Sequence, residues 1–163
     1  MRNLTILIDG PSGSGKTTFA NKVAAETGIP LVHLDDFYPG WAGLRQAAAM
    51  VTETVLDPVA PGYVRWDWEK DQPGEWVDID PGRDLIVEGV GALTHSSYEA
   101  AKRLGDVLTV RITAPYELRK DRALKRDPGY VDFWDMWAEQ ERELYSSEPP
   151  VAADVVLQWN GRG

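Results

Sequence analysis

The sequence predicts an α/β domain: a mostly parallel five-stranded sheet with helices on both faces and a small inserted hairpin. Three observations carry that expectation. Short apolar, β-branched runs alternate with segments of helical spacing along the chain, the pattern of strand–helix–strand units. The first apolar run turns through a glycine-rich loop straight into a helical segment. The alternation is interrupted once, at 59–83, by a proline- and glycine-rich stretch with aromatic residues between its turns.

Residues 3–8 are apolar almost throughout, as suits a central parallel strand covered on both faces. A helix is expected over 15–27, ending at Gly28, a residue favoured just past a helix C-terminus. A second short strand at 29–34 is followed by Asp35-Asp36-Phe37-Tyr38, which puts carboxylates at the strand's C-terminal end, where parallel α/β sheets bind ligands. Residues 41–56 read as an alanine-rich helix stopped by Asp57-Pro58. Within 59–83, the pairs Pro61-Gly62, Pro73-Gly74 and Pro81-Gly82 bracket two aromatic patches, which reads as a hairpin. The third core strand, 84–91, ends in Glu88 and two glycines; a short helix at 98–104 and a strand at 106–113 follow. Pro115 opens the next helix, which breaks near Asp127-Pro128-Gly129. A helix over 132–145 and a last short strand at 153–157 complete a single domain spanning 1–163.

The chain of 163 residues is long enough for one good core, with 43% hydrophobic and 26% charged residues. Without cysteine it has no disulfide or thiolate metal site. No apolar run approaches the ~20 residues of a membrane span, and the N-terminus has no signal-peptide pattern, so a cytoplasmic protein without a membrane partner is expected. A formal charge of −9 argues against a nucleic-acid surface, so phosphate binding must come from a local basic cluster.

Gly10 to Thr17 fit G-x-x-x-x-G-K-[ST] between a strand and a helix, the setting of a phosphate-binding P-loop. Gly10, Gly13 and Gly15 let the backbone curl. The N–H groups of Ser12, Ser14 and their neighbours, through Lys16, Thr17 and Thr18, can then point into one concavity at a helix N-terminus. Lys16 can reach the β- and γ-phosphates of ATP and the Thr17 hydroxyl can ligate Mg²⁺. Asp35 is the candidate to accept the proton of an attacking hydroxyl. Glu88, at the end of an apolar strand, is the candidate metal-side acid.

Arg119, Arg122 and Arg126 fall on one helix face at i, i+3 and i+7, either a phosphate-facing set or a solvated charge run, with Arg122 favoured for the phosphates. The segment 115–130 is the expected lid. Trp66, Asp67 and Trp68, with Tyr63 and Trp76, either form an acceptor pocket, Asp67 hydrogen-bonding sugar hydroxyls, or pack as the hairpin's own core. His33 reads as structural. A guanine-specific Asn-Lys-x-Asp motif is missing after the late strands, since the only Asn-Lys pair is Asn21-Lys22 in the first helix.

Together, Gly10 to Thr17, Leu34-Asp-Asp-Phe-Tyr38, Trp66-Asp67, Val87-Glu-Gly89, the three arginines and Ala153-Asp-Val-Val-Leu157 resemble the uridine kinase family of P-loop nucleoside kinases. The resemblance implies ATP- and Mg²⁺-dependent phosphoryl transfer to a nucleoside hydroxyl. It implies Asp35 as base, Tyr38 and Asp67 as nucleoside contacts, Thr17 and Glu88 at the metal, and Arg119 and Arg122 in a lid. The chain departs from the family in the continuation after Trp66-Asp67 and in having Ala123 rather than a second arginine after Arg122. Kinases for another small acceptor (a nucleoside monophosphate, a sugar or a vitamin precursor) and a non-catalytic ATP-binding protein are the alternatives.

Overall fold

The computed structural model describes residues 2–147, 149 and 151–160. Its core is a five-stranded sheet built from β1 (Leu4–Asp9), β2 (Leu31–His33), β5 (Leu85–Glu88), β6 (Asp106–Thr113) and β7 (Val155–Gln158), in the order β2-β5-β1-β6-β7. All four pairings are parallel. The three central strands carry Val, Ile and Leu on both sides because helices cover both faces.

On one face, Ile6, Ile8, Ile86, Val110 and Ile112 pack with Ala20 of α1 (Lys16–Thr27). On the other, Leu7, Leu85 and Val87 pack against α2 (Leu44–Met50), α3 (His95–Leu104) and α5 (Trp134–Ser147). α4 (Tyr116–Arg126) and a 3₁₀ turn (Pro128–Asp132) lead into α5.

Local chemistry explains the boundaries. α1 ends at Gly28, whose φ of 73° is left-handed and whose N–H caps Ala24 O. α3 begins earlier than expected because Thr94 and Ser97 form a reciprocal capping box, each side chain accepting the other's backbone N–H (3.1 and 2.9 Å). The expected helix at 41–56 starts only at Leu44 and widens into a π turn at Val51–Val55, a run dominated by β-branched residues.

The hairpin predicted at 59–83 is β3 (Gly62–Asp67) with β4 (Gln72–Asp78), antiparallel and separate from the main sheet. Tyr63 anchors it, buried with its ring 5.0 Å from that of Phe37. The parallel register sets His33 beside Glu88, and Asp9 beside Arg111. The C-terminal edge of the sheet is therefore lined by ionisable groups, and the site stands there.

Candidate active site

The loop between β1 and α1 is threaded so tightly that side chains do not fit. A Cβ on Gly10 would lie 2.2 Å from Ile112 O, and one on Gly13, at φ 79°, 2.2 Å from Arg119 O. The glycines are thus required by close approach of β6 on one side and α4 on the other. Two of the N–H groups expected to face a phosphate are engaged within the protein, Ser14 on Pro11 O (3.1 Å) and Ser12 on Glu141.

Ser12 is gripped at three points. Its N–H donates to Glu141 Oε2 (2.8 Å), its carbonyl accepts from Arg119 Nη1 (3.3 Å) and its hydroxyl accepts from Tyr130 (3.0 Å). All three partners lie in the segment running from the lid helix into α5. Asp9, fully buried at the end of β1, accepts from the N–H groups of Gly10 (2.7 Å) and Leu93 (2.8 Å) and from the Tyr145 hydroxyl (2.9 Å). Burial raises the Asp9 pKa, and the Leu93 N–H, Arg111 and Tyr145 oppose the rise.

On the metal side, Thr17 Oγ1 donates to both oxygens of Glu88 (3.2 and 3.4 Å), which is 1% exposed. His33 Nδ1 stands 2.5 Å from Glu88 Oε1. The hydrogen bond to Glu88 raises the His33 pKa, with burial opposing. His33, read from the sequence as structural, is therefore a partner of Glu88. Among the described residues no group of three or more His, Cys, Asp or Glu is placed to hold a metal alone. The Thr17 hydroxyl and Glu88 instead fit Mg²⁺, which takes few protein ligands and keeps phosphate oxygens and water.

Asp35 sits in a 3₁₀ turn (Leu34–Asp36) directly after β2. It is exposed at the surface yet surrounded by protein, and this desolvation raises its pKa, with Glu88 acting in the same direction. Lys16, Arg126 and His33 oppose the rise, so Asp35 lies within electrostatic reach of Lys16 and of α4.

Two of the three arginines are half-buried and one is exposed. Arg119 reaches Ser12, Arg122 donates to Thr18 Oγ1 (3.0 Å) and lies 4.5 Å over the Trp159 ring, and exposed Arg126 acts on Asp35 only through its charge. Lys125, also exposed, pairs with Asp121 (2.9 Å).

On the acceptor side the structure separates residues that the sequence grouped. Tyr38 is 3% exposed, and its hydroxyl donates to Val90 O (2.8 Å), within the core. Asp67 Oδ1 accepts from the N–H groups of Glu69 and Lys70 and shapes the hairpin turn. Trp66 is half-buried, its indole N–H without a partner, and Trp76 is exposed and bonded to Asp78. Trp68 reaches the site, its Nε1 donating to Asp35 O (3.0 Å).

Behind it stands Trp41, stacked on Phe133 (4.7 Å, 4°) and in ring contact with Trp68, Tyr130 and Trp137. Sequence reasoning did not single out Trp41, Tyr130, Glu141 or Asp9 for the site. Only Glu141 left a readable mark, as the one carboxylate on the buried stripe Trp134, Trp137, Glu141, Leu144 of α5.

No protein-family model and no curated protein matches the chain. Solved structures do. A "possible uridine kinase" from Bacillus stearothermophilus is similar at 21% identity and TM-score 0.52, over 96% of this chain and 89% of that one. A gluconokinase from Sinorhizobium meliloti 1021 is similar at 13% and 0.54, over 99% and 84%. Shikimate kinase from Acinetobacter baumannii, in complex with shikimate, is similar at 18% and 0.52, over 99% and 86%. At these identities the shared property is the fold, a P-loop α/β domain.

Proposed function

We propose that the chain is an ATP- and Mg²⁺-dependent kinase that phosphorylates a hydroxyl of a small molecule. The observation that carries this reading is the gathering at one end of the sheet of Lys16, the Thr17–Glu88 pair and, just past β2, Asp35. Phosphoryl transfer is mostly positioning and charge stabilisation, and this set supplies each part. The P-loop N–H groups and Lys16 hold the triphosphate, and Arg122 and Arg126 supply positive charge; Arg119, expected with them, is instead turned onto Ala114 O and Ser12 O. Thr17 and Glu88 would hold Mg²⁺, which when bound would supply charge neutralisation to the phosphates. Asp35 orients the acceptor hydroxyl and takes its proton, for which a raised pKa is an advantage.

A nucleoside is the first acceptor to test, by the resemblance of the ordered motifs and by the indole surface that Trp68 places beside Asp35. A sugar or other small polyol is the second reading, favoured by the engagement of the Tyr38 hydroxyl with Val90 O rather than with the cleft. A nucleoside monophosphate is less favoured. The two arginines nearest in sequence to the acceptor side are occupied elsewhere, Arg45 on Ser147 Oγ (3.3 Å) and Arg65 on Glu75 (3.6 Å). We further infer a cytoplasmic setting.

The test is ATP consumption with Mg²⁺ against nucleosides, nucleoside monophosphates, sugars and small alcohols, repeated with Asp35→Asn. Acceptor-stimulated turnover lost in that variant supports the kinase. Nucleotide binding without turnover on any acceptor would favour a non-catalytic ATP-binding protein.

A further inference from the structure

A cavity of about 320 Å³ lies behind the P-loop, across the sheet from α1. The alternation of β6 places it there: Val110 and Ile112 face α1, so Arg111 points to the opposite face, where α5 packs. Three guanidinium groups line it, from Arg111 of β6, Arg119 of α4 and Arg142 of α5. In a chain of net charge −9 this is a concentrated positive surface.

Two of the three are held in place by aromatic rings. Arg111 lies 5.8 Å over the Tyr145 ring and Arg119 lies 5.4 Å over the Tyr116 ring, and both tyrosines also line the cavity. Arg119 uses two N–H groups on Ala114 O and Ser12 O. Arg111 is half-buried and, among the described residues, has no hydrogen-bond acceptor and no ion pair, only the Tyr145 ring and the field of Asp9. Its five N–H donors are therefore open to a ligand in the cavity. Glu141 is the only acid in the lining, and its carboxylate is engaged by the Ser12 N–H. Arg142 pairs with Glu139 at the outer rim.

The nucleotide of the proposed reaction belongs on the other side of the loop, where Arg122 meets Thr18 of α1. We propose that the cavity is a second anion site, which binds a phosphate-bearing small molecule through Arg111, Arg119 and Arg142. Arginine suits this ligand because its planar fork donates paired hydrogen bonds to phosphate oxygens.

The experiment is calorimetric titration of inorganic phosphate, and separately of glycerol 3-phosphate, into protein saturated with Mg²⁺ and a non-hydrolysable ATP analogue. Saturable binding is expected in the wild type, at least tenfold weaker in Arg111→Met and several-fold weaker in Arg142→Gln. Binding should persist in nucleotide-free Lys16→Ala, in which the P-loop is impaired. A tighter glycerol 3-phosphate complex assigns the site to phosphomonoesters, and equal affinities assign it to the bare anion. Arg142 lies at the exposed rim, so Arg142→Gln decides alone if Arg111→Met does not fold. Absence of binding to the nucleotide-saturated wild type, or unchanged affinity in the arginine variants, would overturn the proposal.

Discussion

The Glu141 carboxylate accepts a hydrogen bond of 2.8 Å from the backbone N–H of Ser12, 129 positions earlier in the chain. With Tyr130 on the Ser12 hydroxyl and Arg119 on its carbonyl, this bond ties the phosphate loop to the lid segment and α5. The loop is therefore a shared part of two elements that are distant in sequence. Glu141→Gln keeps an acceptor for Ser12 N–H, whereas Glu141→Ala removes it. A hydrogen bond to a charged group is worth about 1.5–3 kcal/mol. Nucleotide affinity should fall about tenfold or more in the alanine variant and much less in the glutamine variant, as read by tryptophan fluorescence titration.

Asp35→Asn removes the base while preserving the side-chain volume. Turnover should fall by roughly 10²–10⁴, the range usual for loss of general base catalysis. Nucleotide affinity should stay within twofold, because the P-loop and lid contacts remain. Equal losses in turnover and nucleotide affinity would instead assign Asp35 to nucleotide binding.

The pH profile tests the electrostatics. Ionised Asp35 is the active form and its pKa is raised, so kcat/KM should fall with acid at a pH above the ordinary Asp value of about 3.9. His33 is one of the groups opposing that rise, so His33→Gln should move the acid limb to higher pH. The same residue makes a separate stability prediction. The folded-state pKa of His33 is raised, so its pairing with Glu88 stabilises the fold fully below about pH 6.5 and is lost as pH rises through the folded value. Denaturant midpoints of the wild type should drop across that window, and those of His33→Gln should be flatter.

Thr17→Val and Glu88→Gln address the metal. Each removes an oxygen donor or a charge from the pair that the structure brings within 3.2 Å. Both variants should need several-fold more Mg²⁺ for half-maximal turnover, and a Mg²⁺ titration at fixed ATP distinguishes this from loss of nucleotide affinity.

Tyr38→Phe separates packing from recognition. The hydroxyl serves the Val90 carbonyl in a buried setting, so its loss should cost about 1–3 kcal/mol by leaving that carbonyl unpaired. The KM for the acceptor should hold if Tyr38 acts only in the core. A change in acceptor KM with unchanged unfolding midpoint would place Tyr38 at the substrate.

The sequence by itself determined what short-range physics fixes. Apolar runs of the right length, glycines at the loop, and Gly28 and Pro115 at helix ends specified the strands and helices and hence the parallel sheet. The P-loop spacing placed glycines where β6 and α4 approach closest, and strand-end placement brought Glu88 to Thr17 because neighbouring parallel strands present their C-termini to the same edge. Helical periodicity put Arg119, Arg122 and Arg126 on one face.

Only the tertiary structure decided which partners those side chains take. Tyr38 and Trp68 are both acceptor-side candidates in the sequence, yet docking of the hairpin and α5 buried the first and turned the second onto the Asp35 carbonyl. The grip on Ser12 and the arginine-lined cavity likewise depend on where α5 packs against β6. A residue's own spacing encodes its face on an element, but the side chain that meets that face comes from a remote segment, and close packing between elements selects it.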